Sequence, residues 1–157
     1  MKKWFLFILM SVFVISVISC KSSETNLKKE DDPQKKVIKT ENNEITNEAV
    51  EVAESWLSLV DSGSYGESWE KAATFFKEKV SKDKWIDNLN GVLPPFGKVI
   101  KREVISADFY TELPGAPDGE YVVVKFKTSF ENKKNSVETV TPMKDDGKWK
   151  VSGYYIN

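Results

Sequence analysis

Apolar and polar residues change rhythm several times along this 157-residue chain. A mainly apolar run from Trp4 to Ile18 follows Lys2 and Lys3 and stops at Ser19-Cys20. From Lys21 to about Asn43 only Leu27, Val37 and Ile38 are aliphatic. A helical period then sets in. Ile45, Ala49, Val52, Ala53, Trp56 and Val60 fall on one face, and Tyr65, Trp69, Ala72, Ala73, Phe76 and Val80 repeat the same spacing, which predicts two amphipathic helices. Asp61-Ser62-Gly63 supplies a glycine stop between them, and Ser64-Tyr65-Gly66-Glu67 has the form of a capping box. Ser81 is placed to cap a third, shorter helix carrying Trp85, Leu89 and Val92 on one face, until Pro94-Pro95 ends it.

Past this point the period becomes two. Val122, Val124, Phe126, Thr128 and Phe130 alternate with Tyr121, Val123, Lys125, Lys127 and Ser129, the mark of a strand with one apolar face. Strand-like runs also lie at about 98–111, 136–143 and 148–156, separated by "LPGAPDG", "ENKKN" and "KDDG". Short turns between consecutive strands imply antiparallel pairing, and helices segregated before a meander imply an α+β layer arrangement. The expected fold is an N-terminal layer of two to three helices packed on a curved four-stranded antiparallel sheet, cone-like in outline.

The stretch from Leu113 to Tyr121, "LPGAPDGEY", is read as a structural connection. Pro114 presets φ for a turn and Gly115 accepts a positive φ, while Pro117-Asp118-Gly119 suits a turn finishing in a left-handed glycine. A phosphate cradle would lead into a helix N-terminus, whereas this loop leads into "YVVVKF".

The N-terminal segment is the most specific signal. Its apolar run is short for a spanning helix and has the form of a secretory signal, residues 1–19. Val17-Ile18-Ser19-Cys20 resembles a bacterial lipobox, which implies that Cys20 receives diacylglycerol and then palmitate and becomes the new N-terminus. Residues 20–43 cannot bury enough apolar surface to offset their ordering entropy, and read as the lipidated cysteine and a disordered tether. Residues 44–157 are the right length for a single α+β globular domain. The expected location is the cell envelope, anchored in the lipid bilayer through acylated Cys20. Lys21 after the cysteine, where Asp would signal retention, favours the outer membrane facing the periplasm if the host has two membranes.

Charge narrows the function. The chain has a formal net charge of −1, and of its 23 basic residues only Arg102 is an arginine. A nucleic-acid reader needs a basic face and usually arginine forks, so that partner is not expected. The absence of histidine removes the commonest general base, the Ser-His-Asp triad and most zinc sites, and with Cys20 acylated there is no free thiol. No calcium loop or dinucleotide fingerprint is present. Neither metal nor cofactor is expected, and no catalytic residue is assigned.

The order of "AESWLSLVDSGSYGESWEKAATFFKEKVSKDKW", "LPGAPDGEYVVVKFKTSF", "VETVTPM" and "DGKWKVSGYYI" resembles a family of small bacterial exported and lipid-anchored domains known only as a domain of unknown function. The resemblance runs from about Ala49 to Ile156. It departs from the family pattern at Leu93-Pro94-Pro95-Phe96-Gly97, where an arginine and a single-proline "PLG" are usual, and the departure argues against an anion-binding role there. At fold level the domain resembles the nuclear transport factor 2-like cone, which implies helices packed on a curved sheet around a pocket. Cone-fold enzymes similar to ketosteroid isomerase use a carboxylate and a tyrosine in such a pocket. The corresponding ingredients here are Glu138 with Tyr110 and Tyr154, and the period of the strand leaves the facing of Glu138 open, with a solvent-facing carboxylate paired to a cross-strand lysine as the plainer reading. Most aromatics belong to the core, with Trp69 and Trp85 as candidates to line an open mouth.

These features favour an envelope ligand-binding or protein-interaction module without catalytic activity, taking a small apolar ligand or an envelope protein. An isomerase or dehydratase using the pocket carboxylate and tyrosine, and a passive structural lipoprotein, are the alternatives. Cys20→Ser is expected to abolish metabolic labelling with a radioactive fatty acid and to leave unprocessed precursor on a gel; normal labelling of that variant would refute the lipobox reading.

Overall fold

A computed structural model describes the backbone of residues 33–157 and the side chains from residue 43 onward. The signal segment, Cys20 and the first part of the expected tether lie outside the described residues. Helix α1 spans Pro33–Asp61, α2 Tyr65–Glu70, α3 Thr74–Lys79 and α4 Lys82–Val92; a 3-10 turn, Pro94–Phe96, follows, and then strands β1 Val99–Tyr110, β2 Tyr121–Phe130, β3 Ser136–Asp145 and β4 Lys148–Ile156. All neighbouring strands pair antiparallel in the order β1-β2-β3-β4. The molecule is α+β, with its helices preceding and covering one face of an open four-stranded sheet. Among the described residues no helix is long and apolar enough to cross a membrane.

The predicted faces meet in one core. Ala49, Ala53, Trp56, Leu57 and Val60 of α1 pack with Val122, Val124 and Phe126 of β2 and with Val140 and Val151 of the neighbouring strands. Each large apolar side chain buried here contributes roughly 1.5–3 kcal/mol. The polar ends of two core tryptophans are tied to one buried serine. Trp56 donates its indole N–H to the Ser68 carbonyl at 2.8 Å, and Trp85 donates to Ser68 Oγ at 3.0 Å.

Local details depart from the sequence pattern where tertiary contacts outbid it. Helix α1 starts at Pro33, so residues 33–43, expected as the end of a disordered tether, are helical in backbone. No glycine or proline interrupts residues 34–62, and a helix nucleated on the packed part of α1 propagates until Pro33, a residue tolerated in a first helical turn. The second helix is two short ones. Ala73 turns to an extended conformation and gives its N–H to the Val151 carbonyl on β4 at 2.8 Å, so the sheet edge takes the bond that would have continued the helix. With both pieces the described residues carry four α-helices ahead of the sheet, where two to three were expected. Ser64 makes no side-chain capping bond at α2, whereas Ser81 accepts from the Lys84 N–H at the start of α4.

The turns show the same split. Gly63 ends α1 at φ 77°, and Asp146-Gly147, at φ 52° and 71°, form the tight β3–β4 turn. Gly115 has φ 79° and the Ala116 N–H bonds the Leu113 carbonyl, the turn expected of Leu113-Pro114-Gly115-Ala116. Gly119 is not left-handed: its N–H reaches back to the Thr111 carbonyl at 3.0 Å, closing the loop by a bond between its two ends. Tyr121 bonds the Pro117 carbonyl from below, which keeps the loop a packed connection.

Gly97 carries the tightest constraint. It sits at φ 74°, ψ −164°, a region essentially restricted to glycine, and an added Cβ would lie 2.7 Å from Glu131 Oε2 and 2.8 Å from Glu131 Cβ. Gly97→Ala is expected to lower stability by about 1–3 kcal/mol and Gly119→Ala by less than about 0.5 kcal/mol in urea unfolding. Equal, small losses would show that the backbone at Gly97 relaxes freely.

Candidate functional site

Strand β3 places Glu138 on the helix-covered face, opposite Phe126 of β2 and Ile156 of β4. It is only 1 % exposed. A cross-strand lysine does not pair with it. Arg102 does: its Nε donates to Glu138 Oε2 at 2.7 Å, and Thr128 Oγ1 donates to the same oxygen. Tyr154 Oη donates to Oε1 at 2.7 Å. Three donors, one of them charged, thus hold the carboxylate in one orientation.

Arg102 extends the network to the helices. Its two terminal nitrogens donate to Asp61 Oδ2 and Oδ1 at 2.6 and 3.0 Å, a two-pronged bond to the last residue of α1. A carboxylate at a helix C-terminus is repelled by the helix dipole, and the guanidinium offsets that repulsion. Burial by itself would lower the Arg102 pKa, but the hydrogen bonds and charges of Asp61 and Glu138 more than reverse it and hold the guanidinium above its ordinary range. Burial, reinforced by the negative Glu138 and its hydrogen bond, pushes the Tyr154 phenol well up, so the phenol remains a donor throughout the physiological range. The Tyr154 ring is fixed by Trp56 and Trp85, with centroids 5.6 and 6.2 Å away.

Asp61, Glu138 and Tyr154 open onto a half-open cavity of about 200 Å³. Val60, Tyr65, Leu93, Val99 and Phe130 give it an apolar lining, and Lys98 and Glu131 stand in its wall. One side is rigidly built. Glu131 Oε2 accepts from the Lys98 N–H, the Glu131 N–H bonds the Lys98 carbonyl, and Asn132 bonds the carbonyls of Phe96 and Pro95. These bonds clamp the segment after the 3-10 turn to the β2–β3 connection, with Phe96 against Phe130 at 5.4 Å. A wider groove of about 640 Å³ runs between α1 and the β3–β4 turn. There Lys144 already lies over the Trp149 ring at 4.7 Å and 3.9 Å from Glu48.

Of the residues singled out in the sequence, the structure brings Glu138 and Tyr154 together in the cavity wall. Tyr110 does not join them; it ends the edge strand β1, paired with Tyr121 and 42 % exposed. Trp85 is buried core that touches Tyr154 from behind, and Trp69 bonds the Val80 carbonyl at the end of α3. Neither tryptophan lines the cavity. Sequence reasoning passed over Asp61, Arg102 and Thr128. One signal was available: a chain that uses lysine everywhere else spends its single arginine on a strand, and a planar fork is what a buried carboxylate pair requires.

Among the described residues no group of three or more histidine, cysteine or acidic side chains is arranged to hold a metal. The network itself supplies an anion held by three donors, a phenol and a small apolar recess.

Removing one partner of a buried pair leaves the other charge uncompensated. Arg102→Met is expected to cost about 3–5 kcal/mol by urea unfolding, and Asp61→Asn, whose side chain is 32 % exposed, less than about 1 kcal/mol. The opposite order would mean that Arg102 is held for Asp61 alone.

The family model described as Protein of unknown function (DUF4019) matches residues 52–154. No curated protein and no solved structure matches the chain.

Proposed function

Because the chain belongs to the DUF4019 family, whose function is unknown, we propose on the geometry alone that it is an envelope binding module rather than an enzyme. One observation carries this reading. The carboxylate facing the cavity has three of its roughly four acceptor positions taken, by Arg102 and Thr128 on one oxygen and by Tyr154 on the other. A general base needs a lone pair within reach of a substrate proton. A carboxylate committed to a guanidinium and two hydroxyls serves better as a polar wall that orients a ligand, and the preorganised rim and apolar lining are what a small binding site requires. Its volume lies below the roughly 300–1,000 Å³ usual for drug-sized ligands, so the occupant is a small molecule or one side chain of a protein partner.

The proposal extends to the rest of the chain. Acylated Cys20 anchors the protein in the lipid bilayer of the cell envelope, in the outer membrane where the host has two, and the segment between the anchor and the packed part of α1 sets the reach of the domain. No nucleic acid is among its partners. The fold reading that goes with it is a nuclear transport factor 2-like cone, supported by the order of helices and strands and by a cavity between the helical layer and the sheet.

The isomerase-type alternative draws on the same pair, since Tyr154 and Glu138 stand 2.7 Å apart in the cavity wall. Native mass spectrometry of protein released from its own membrane separates the readings. A non-covalent companion mass is expected on the natural protein and is expected to be lost in Leu93→Trp, which fills the cavity. No companion mass, together with exchange of an enolisable ketone's α-protons that disappears in Glu138→Gln, would replace binding by catalysis.

A further inference from the structure

The charges around the cavity do not cancel. Asp61 and Glu138 share one guanidinium, and both carboxylate residues belong to the cavity wall while Arg102 does not. The other charged pair in the wall, Lys98 and Glu131, sums to zero. One surplus negative charge is therefore presented to the cavity, with its positive partner standing behind it. Glu138 is 1 % exposed in its side chain and Asp61 32 %, so bulk water screens the excess partly at Asp61 and little at Glu138. A partly desolvated charge without compensation is costly, and a cation seated in the cavity removes that cost.

The lining decides which kind of cation. Hard metal ions take several oxygen ligands and keep bound waters, and no such ligand group exists among the described residues. Leu93, Val99 and Phe130 instead offer carbon surface, and Tyr65 an aromatic ring. An ammonium group on a short aliphatic stem matches both halves: its charged end lies toward Asp61 and Glu138, its methylenes against the apolar wall, and its size suits a recess of about 200 Å³.

We propose that the cavity binds an alkylammonium group, as a free small amine or as the side chain of a lysine in a partner. The inference rests on the binding reading of this same cavity. It goes further in fixing the charge of the ligand.

Full-length protein in a nonionic detergent, with its tyrosines isotopically labelled, is titrated at low salt with n-butylammonium, 1-butanol and butyrate while the Tyr65 and Tyr154 ring signals are followed by NMR. Butylammonium is expected to bind at least about ten-fold more tightly than 1-butanol, and butyrate more weakly than either. Asp61→Asn is expected to narrow the preference for butylammonium over 1-butanol to less than about two-fold; the series on the natural protein decides the matter even where this variant folds poorly. Equal binding of amine and alcohol overturns the cationic ligand and leaves the binding module standing, as does a preference for butyrate. No shift with any probe overturns both. A blocked lysine peptide that binds about ten-fold more tightly than butylammonium assigns the ligand to a partner's side chain, and equal or weaker binding assigns it to a free amine; either result upholds the ammonium specificity.

Discussion

The guanidinium of Arg102 is where the structure is tied together. It reaches from the edge strand to a carboxylate on the third strand and to another at the end of the long helix. Buried ion pairs add little net stability, because desolvation consumes most of their attraction. Their requirement is positional: both carboxylates must lie within the reach of one planar fork. That condition fixes the end of α1 over the sheet and holds Glu138 on the covered face, and the cavity wall follows from those two placements.

Around this tie the chain uses uncharged contacts to hold each participant still. Tyr154 is wedged by Trp56 and Trp85, and both indoles are in turn anchored on Ser68. Phe76 meets Trp85 edge-on at 5.1 Å. The aromatic core therefore reaches the polar network through a single phenol, apolar on its ring and polar at its tip. At another part of the cavity wall, backbone bonds together with the Glu131 and Asn132 side chains join the segment around Gly97 to the β2–β3 connection and do the same work.

Much of the architecture is legible in residue periods because periodicity is a local property. The alternation in "YVVVKFKTSF" and the helical spacing from Ile45 to Val60 each follow from a side chain's position relative to its near neighbours. Glycine signals are read reliably where the chain must take a positive φ, as at Gly63 and Gly115, and misread at Gly119, where a bond to Thr111 arranges the loop differently. The second helical pattern runs unbroken to Val80, yet the edge of β4 captures the Ala73 N–H and divides it. At Ala73 the competing partner lies on a distant strand, and at Gly119 it lies at the other end of the same loop, beyond the reach of a turn motif.

The site shows the same boundary. The sequence by itself determines that histidine is missing, that helices precede an antiparallel meander, and that Glu138 and Tyr154 supply a carboxylate and a phenol. It does not determine which way Glu138 faces, since β3 mixes apolar and polar residues on both alternations. Tertiary structure decides that by bringing Arg102 to Glu138 across 36 residues of sequence and to Asp61 across 41. A carboxylate is stable in the interior only where opposite charge and donors converge on it, and that convergence depends on strand register and helix position together rather than on any run of neighbouring residues.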